Sequence, residues 1–291
     1  MTDLEIAGRE NVADWIEQTL LARGSVQIGL DALFKFAIAE IGQHEAAVTL
    51  ALNAMERRAQ ALGDAYPFQV FQYAVRALPN AKLNPYSLLL LMTPQSPSRQ
   101  LIREGIEPMA IAFERLVVVA LESLLGSTAR AVRFGWPGDQ GRPPEFYGAI
   151  EWLAAKMGIP AGQAYRPPRR KDGGVDVVGW RPFPDGRSGF PVMLVQCTLQ
   201  QDVTQKAADI DVRNWAGWLK LDADPTTALA VPGTIPTGET WDKISVRSLI
   251  LERIRLAGLL SGKTLAEFPG CTELLDAQVT QLIDLLAGAE F

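Results

Sequence analysis

The chain has 291 residues, 48% hydrophobic and 21% charged, with a formal net charge of -5. That composition suits one large folded domain or two modest ones and excludes a wholly basic nucleic-acid coat, although a local basic patch can still hold phosphates. Two cysteines, Cys197 and Cys271, and one histidine, His44, are too few for a catalytic zinc centre. They read as two buried thiols in a reducing compartment and a cap or surface residue.

No positively charged segment leading into an apolar core opens the sequence, the apolar run at 87–92 is too short to cross a bilayer, and the run at 116–125 is interrupted by Glu122. The expectation is a cytoplasmic protein with no membrane partner. From 11 to 127 the pattern is helical: Val12, Ile16, Leu20 and Leu21 share a face, as do Leu30, Leu33, Phe34, Ala37 and Ile41. Ser96 and Pro97 are read as the cap and first position of one long helix that stops near Gly126. Residues 1–137 are therefore expected to form an all-α module. The proline- and glycine-rich stretch GWPGDQGRPP then marks a border, with a second domain over 138–291.

In that second domain the pattern predicts an amphipathic helix at 145–157, stopped by Gly158 and Pro160. A basic loop, Arg166-Pro-Pro-Arg169-Arg170-Lys171, leads to strands at 175–180 and 191–197 joined as a hairpin. A helix at 202–219, a strand at 228–231 and helices at 247–260 and 272–286 complete the expectation. Asp176 follows Gly173-Gly174 and opens one apolar run, while Gln196 closes the next. Desolvating a lone carboxylate at such a place costs several kcal/mol unless a cation or donor meets it, and a divalent metal is one answer.

The order helix, strand with Asp, strand with a polar last residue, helix, strand resembles the PD-(D/E)XK, or restriction-endonuclease-like, nuclease superfamily over about 145–231. The resemblance implies an α+β chain: an all-α N-terminal module followed by a core with a central mixed β-sheet flanked by helices. It implies Mg²⁺ or Mn²⁺, with Asp176 as ligand, Gln196 in place of the family's second acid, and the carbonyl of Cys197 as a third donor. Gln196 keeps a hard oxygen but brings no charge. The family's usual lysine place holds Thr198, so Lys206, expected early in the next helix, is the candidate to orient water and stabilise phosphate charge. The family's helical acid is missing at its usual place, where Phe146-Tyr147 stands, and Glu151 is the candidate substitute.

Arg169, Arg170 and Lys171 are candidate phosphate contacts. Asp209 and Asp211 point to different faces of a helix and so make a poor acid-base pair. Trp215 and Trp218 share a face, and read as core ahead of base stacking; Arg253 reads as structural. The implied function is phosphodiester hydrolysis, DNA ahead of RNA, in restriction or antiviral defence, with a partner subunit or a homodimer delivering substrate or switching the enzyme on. The alternative is a catalytically silent nuclease fold serving as a scaffold.

Overall fold

The computed structural model describes residues 3–24, 27–94, 96, 106–162, 168, 172–204, 206 and 209–287. In chain order its elements are α1 (Asp3–Ala22), β1 (Ile28–Gly29), α2 (Leu30–Ile41), α3 (Glu45–Leu62), β2 (Phe68–Phe71), β3 (Ala74–Ala77), α4 (Pro85–Met92) and α5 (Ile106–Leu125). There follow β4 (Arg130–Arg133), α6 (Phe146–Met157), β5 (Val177–Trp180), β6 (Val192–Cys197), α7 (Val212–Trp218), β7 (Thr226–Ala230), α8 (Glu239–Ser245), β8 (Leu249–Leu251), α9 (Arg253–Leu259) and α10 (Cys271–Ala287).

The chain divides into two compact units. A helical unit comprises Met1–Ala112, Pro232–Glu239 and Glu252–Phe291; a sheet unit comprises Phe113–Val231 and Thr240–Leu251. This differs from the expected border at 137/138. The second half of α5 and β4 belong with the sheet, and α9 and α10 return to the N-terminal helices.

The helical unit is not all-α. A three-stranded antiparallel sheet of order β1-β3-β2 lies within it, with Val70 opposite Val75. Val12, Ile16, Leu20 and Leu21 of α1 are buried as their spacing predicts, and so is all of α4, whose Asn84 cap accepts from Tyr86 N. His44 is the exposed N-cap residue of α3. The core of this unit also holds charge. Arg253 Nη2 lies 2.7 Å from both Asp14 oxygens, and Arg58 reaches Asp14, Glu17 and Glu10 at 2.8, 2.7 and 2.6 Å. Tyr66 and Tyr86 donate to Glu17. Arg253 is thus structural, paired with Asp14 on the first helix.

The sheet unit holds five strands in the order β4-β5-β6-β7-β8. The first three are antiparallel, with Val177 opposite Val195, and β6-β7 and β7-β8 are parallel. Alternation sorts the side chains. Val132, Val178, Trp180, Val192 and Leu194 face α6 and α7, where Phe146, Ile150, Leu153, Trp215 and Trp218 complete one core layer. Trp215 and Trp218 are therefore core. On the other face Gly179 admits α5: a Cβ there would stand 2.5 Å from Leu121 Cδ2 and 3.1 Å from Leu125 Cδ1.

Two expectations fail locally. The stretch 202–211 is not α-helical in its described residues; Asp202 turns back on Thr204, Lys206 lies in a 3-10 turn, and Asp211 caps the short α7 by accepting from Asn214 N. Residues 249–251 are strand rather than helix because they join β7 in parallel, Leu229 opposite Ile250. The long helix is described from Ile106, so Pro97 lies outside the described residues.

Because the close approach of α5 to β5 requires a missing side chain at Gly179, Gly179→Ala should destabilise the protein by about 1–3 kcal/mol through overpacking. Urea denaturation of Gly179→Ala, Leu121→Ala and the double variant checks this: the double variant should be less destabilised than the sum of the two. Strict additivity would mean that the close approach is not what the glycine serves.

Candidate active site

Asp176 is fixed by the turn that precedes it. Asp172 Oδ1 accepts from Gly174 N at 2.8 Å, and Gly173 and Gly174 take φ of 64° and 80°. A Cβ on Gly173 would meet the Trp215, Trp218 and Phe146 rings at 3.1–3.2 Å, and Trp215 Nε1 donates to Gly173 O. The glycines that mark this motif in the sequence are therefore required by close packing as well as by backbone conformation.

Both the main chain and the side chain of Asp176 are then tied to neighbouring strands. Its N–H donates to Val195 O at 2.9 Å, its carbonyl accepts from Phe134 N and Gly135 N at 2.7 and 2.9 Å, and its Oδ2 accepts from Cys197 N at 2.7 Å. The side chain that meets it was not singled out in the sequence. Glu114, on α5 and 7% exposed, receives the Nε–H of Arg133, which is 2% exposed on β4. A Cβ on Gly135 would lie 2.6 Å from Glu114 Oε2 and 3.3 Å from Asp176 Oδ1, so the two carboxyl groups converge over a position that only glycine leaves open.

That convergence governs their protonation. Burial pushes the Glu114 carboxyl up to about 8; the Asp176 charge adds to the rise and Arg133 opposes it. Burial likewise pushes Asp176 up to about 7, against the Cys197 N–H, and with Asp172 raising it while Arg133 and Lys206 lower it. The Cys197 thiol is pushed well above its ordinary range by burial and by both acids, so it stays protonated.

Gln196 sits one residue after the Val177–Val195 pair, as Asp176 sits one before it. The side chain is 4% exposed. Its Nε2 donates to Asp209 Oδ2 at 3.1 Å, which fixes the amide orientation, and its Oε1 is buried with no hydrogen-bond partner. Lys206 Nζ lies 3.6 Å from the same Asp209 oxygen. Asp209 thus joins Gln196 to Lys206, a role that the face-pairing reading of Asp209 and Asp211 missed because it assumed a continuous helix.

Of the expected site residues, the structure gathers Asp176, Gln196, Cys197 and Lys206, and adds Glu114, Arg133 and Asp209. Glu151 is not among them: it is exposed on α6, whose inner face carries Ala149, Ile150 and Leu153 into the core. The helix preceding the first strand of the sheet is α5 rather than α6, because β4 comes before α6 in the chain. Arg169, Arg170 and Lys171 lie outside the described residues.

The donors fit a hard divalent cation in chemical type: two carboxyl groups crowded at near-neutral pKa and an orphaned buried amide oxygen. Among the described residues no group of three or more His, Cys, Asp or Glu side chains is placed to hold a metal ion. Also among the described residues, no helix is long and apolar enough to cross a membrane. No protein-family model, curated protein or solved structure matches this chain.

The raised acids set a pH dependence. Both folded-state values lie above the ordinary 4.5 of Glu114 and 3.8 of Asp176, so proton binding favours the fold. Their stabilising contribution is full below those ordinary values and is lost as pH rises through about 7 and about 8. In a chelator-containing buffer, the change in melting temperature caused by Glu114→Gln should be more favourable at about pH 8.5 than at about pH 4, by differential scanning fluorimetry. Equal shifts at both pH values would remove the acid pair from the account.

Proposed function

We propose that the sheet unit is a metal-dependent nuclease domain that hydrolyses phosphodiester bonds, DNA ahead of RNA. The observation that carries this reading is the convergence of Glu114 and Asp176 over Gly135, with the Lys206 charge felt at Asp176. Further support comes from the order α5, β4-β5-β6 antiparallel, α7, then β7 parallel to β6, which resembles the PD-(D/E)XK core. In that alignment Glu114 takes the part of the helical acid, Asp176 that of the strand acid and Gln196 that of the second acid.

Asp176, Glu114 and the amide oxygen of Gln196 would hold Mg²⁺ or Mn²⁺, which when bound supplies Lewis acidity toward a phosphodiester. The remaining work falls to the protein. Cys197 N–H holds one Asp176 oxygen in place, leaving the other directed toward Glu114. Both carboxyl groups would be drawn into their charged, metal-holding form by a bound cation. Arg133 neutralises part of their charge, which lessens the repulsion of an incoming phosphate. Asp209 keeps the Lys206 ammonium at the cleft, where its charge stabilises the phosphate as negative charge builds. Service in restriction or antiviral defence, with a partner subunit or a second copy controlling the enzyme, follows from the resemblance and belongs to this proposal.

Incubation of the full chain with plasmid DNA, single-stranded DNA and RNA in Mg²⁺ or Mn²⁺ tests it. Wild type should cleave, while Asp176→Ala, Glu114→Gln and Lys206→Ala should each lose on the order of 10²-fold or more in rate, as for loss of a charge-stabilising group. Glu151→Ala should cleave like wild type. A wild-type protein inert toward all three substrates with either metal, alone and with proteins encoded beside it, would favour the silent-scaffold reading.

A further inference from the structure

The loop that follows β4 passes directly over the acid pair. Trp136 follows Gly135, and its side chain is 41% exposed. Successive Cα atoms are about 3.8 Å apart, so the indole leaves the chain one residue from the point where Glu114 and Asp176 converge. Trp180, Trp215 and Trp218 are buried in the core, whereas Tyr147 and Phe183 are exposed as Trp136 is, but neither adjoins the acid pair in the chain.

The loop is tied down along its length. Phe134 N and Gly135 N donate to Asp176 O at 2.7 and 2.9 Å, and Arg133 Nη1 donates to Pro137 O. Arg115 reaches Asp139 at 3.2 Å, and Arg142 N closes on Asp139 O at 3.0 Å. The Arg142 guanidinium lies 4.5 Å from the Phe134 ring and 6.0 Å from the Trp136 ring. An aromatic plate on an anchored loop, bordered by two guanidinium groups and set beside a pair of carboxylates, has the chemistry of a base-stacking subsite next to a phosphate site.

We propose that Trp136 stacks on an unpaired nucleobase adjoining the phosphate to be cleaved, so that the preferred substrate is single-stranded or locally unpaired DNA or RNA. This rests on the nuclease reading of the neighbouring carboxylates. Within a duplex both faces of an internal base are covered by its neighbours, whereas every base of a single strand offers a face to an indole. Arg142, stacked on Phe134 and 6.0 Å from the indole, and the Arg115–Asp139 pair fix the loop that carries the plate.

Binding separates this inference from the hydrolysis on which it rests. Fluorescence anisotropy with labelled single-stranded DNA, single-stranded RNA and a blunt duplex of the same sequence is measured in an Asp176→Asn background, which does not consume the probe. Adding Trp136→Ala should weaken single-strand binding by about tenfold, the scale of one lost base–aromatic stack, and leave duplex binding within about twofold. Trp136→Phe should restore most of the loss, and Phe183→Ala, at a 51% exposed aromatic beyond the far end of β5, should change nothing. The DNA and RNA arms show which strand supplies the base.

An unchanged single-strand affinity in Trp136→Ala, or an equal loss on duplex and single strand, overturns the subsite even if wild type cleaves DNA. Trp136-dependent binding by a wild-type protein that cleaves nothing keeps the subsite and removes the hydrolysis. Absence of binding to any of the three probes overturns both.

Discussion

The buried Arg133 guanidinium is the constraint on which the sheet unit's polar end depends. It leaves β4 on the face covered by α5, binds Glu114 on that helix, and reaches the carbonyl of Pro137 in the following loop. A guanidinium taken out of water requires such partners, and removing one side of a buried pair typically costs about 3–5 kcal/mol because the other charge is left stranded. Arg133 therefore does more than lower repulsion between two acids. It makes the position of a helix, a strand and a loop mutually dependent, and the carboxyl convergence over Gly135 is the result.

The same constraint explains the uneven division of charge in the site. Glu114 has a guanidinium, Asp176 has a backbone N–H and a lysine in range, and Gln196 has a buried oxygen with nothing. A set of oxygens that satisfied itself internally would be a finished piece of core. This one is incomplete, and incompleteness of that kind is what a site for a cation or an incoming phosphate requires.

How far the site could be read in advance depended on whether its signals were local. The Gly173-Gly174-Val175-Asp176 turn and the two valine-rich strands carry their meaning in a few consecutive residues, so β5, β6, α6 and the placement of Asp176 beside Gln196 were legible. Glu114 was not, because it stands in a long apolar helix whose periodicity describes ordinary packing. The strand that follows that helix, Arg130-Ala-Val-Arg133, has only two apolar residues between two charges and gives no strand pattern of its own. With β4 unseen, the helix before the first strand was taken to be α6, whose Glu151 is exposed, whereas α5 carries Glu114 against Asp176. Lys206 was expected early in a helix continuous with α7; among the described residues it stands apart from α7, with its ammonium 3.6 Å from Asp209. The small sheet β1-β3-β2 escaped notice because strands of two and four residues hardly interrupt the surrounding helical periodicity.

The pairing of Asp14 with Arg253 spans 239 positions along the chain. During synthesis on a ribosome, the first helix would emerge with its carboxylate long before the arginine that neutralises it exists, and the whole sheet unit would be made in between. The helical unit consequently cannot complete this charge cluster until α9 has been released, while the sheet unit has most of its strands available earlier. A shortened chain ending before α9 would carry Asp14, Glu17 and Glu10 with Arg58 as their remaining partner in the cluster. The charge cluster thus makes α9 a condition for completing the surroundings of α1, and couples the maturation of the N-terminal helices to translation at least through Arg253.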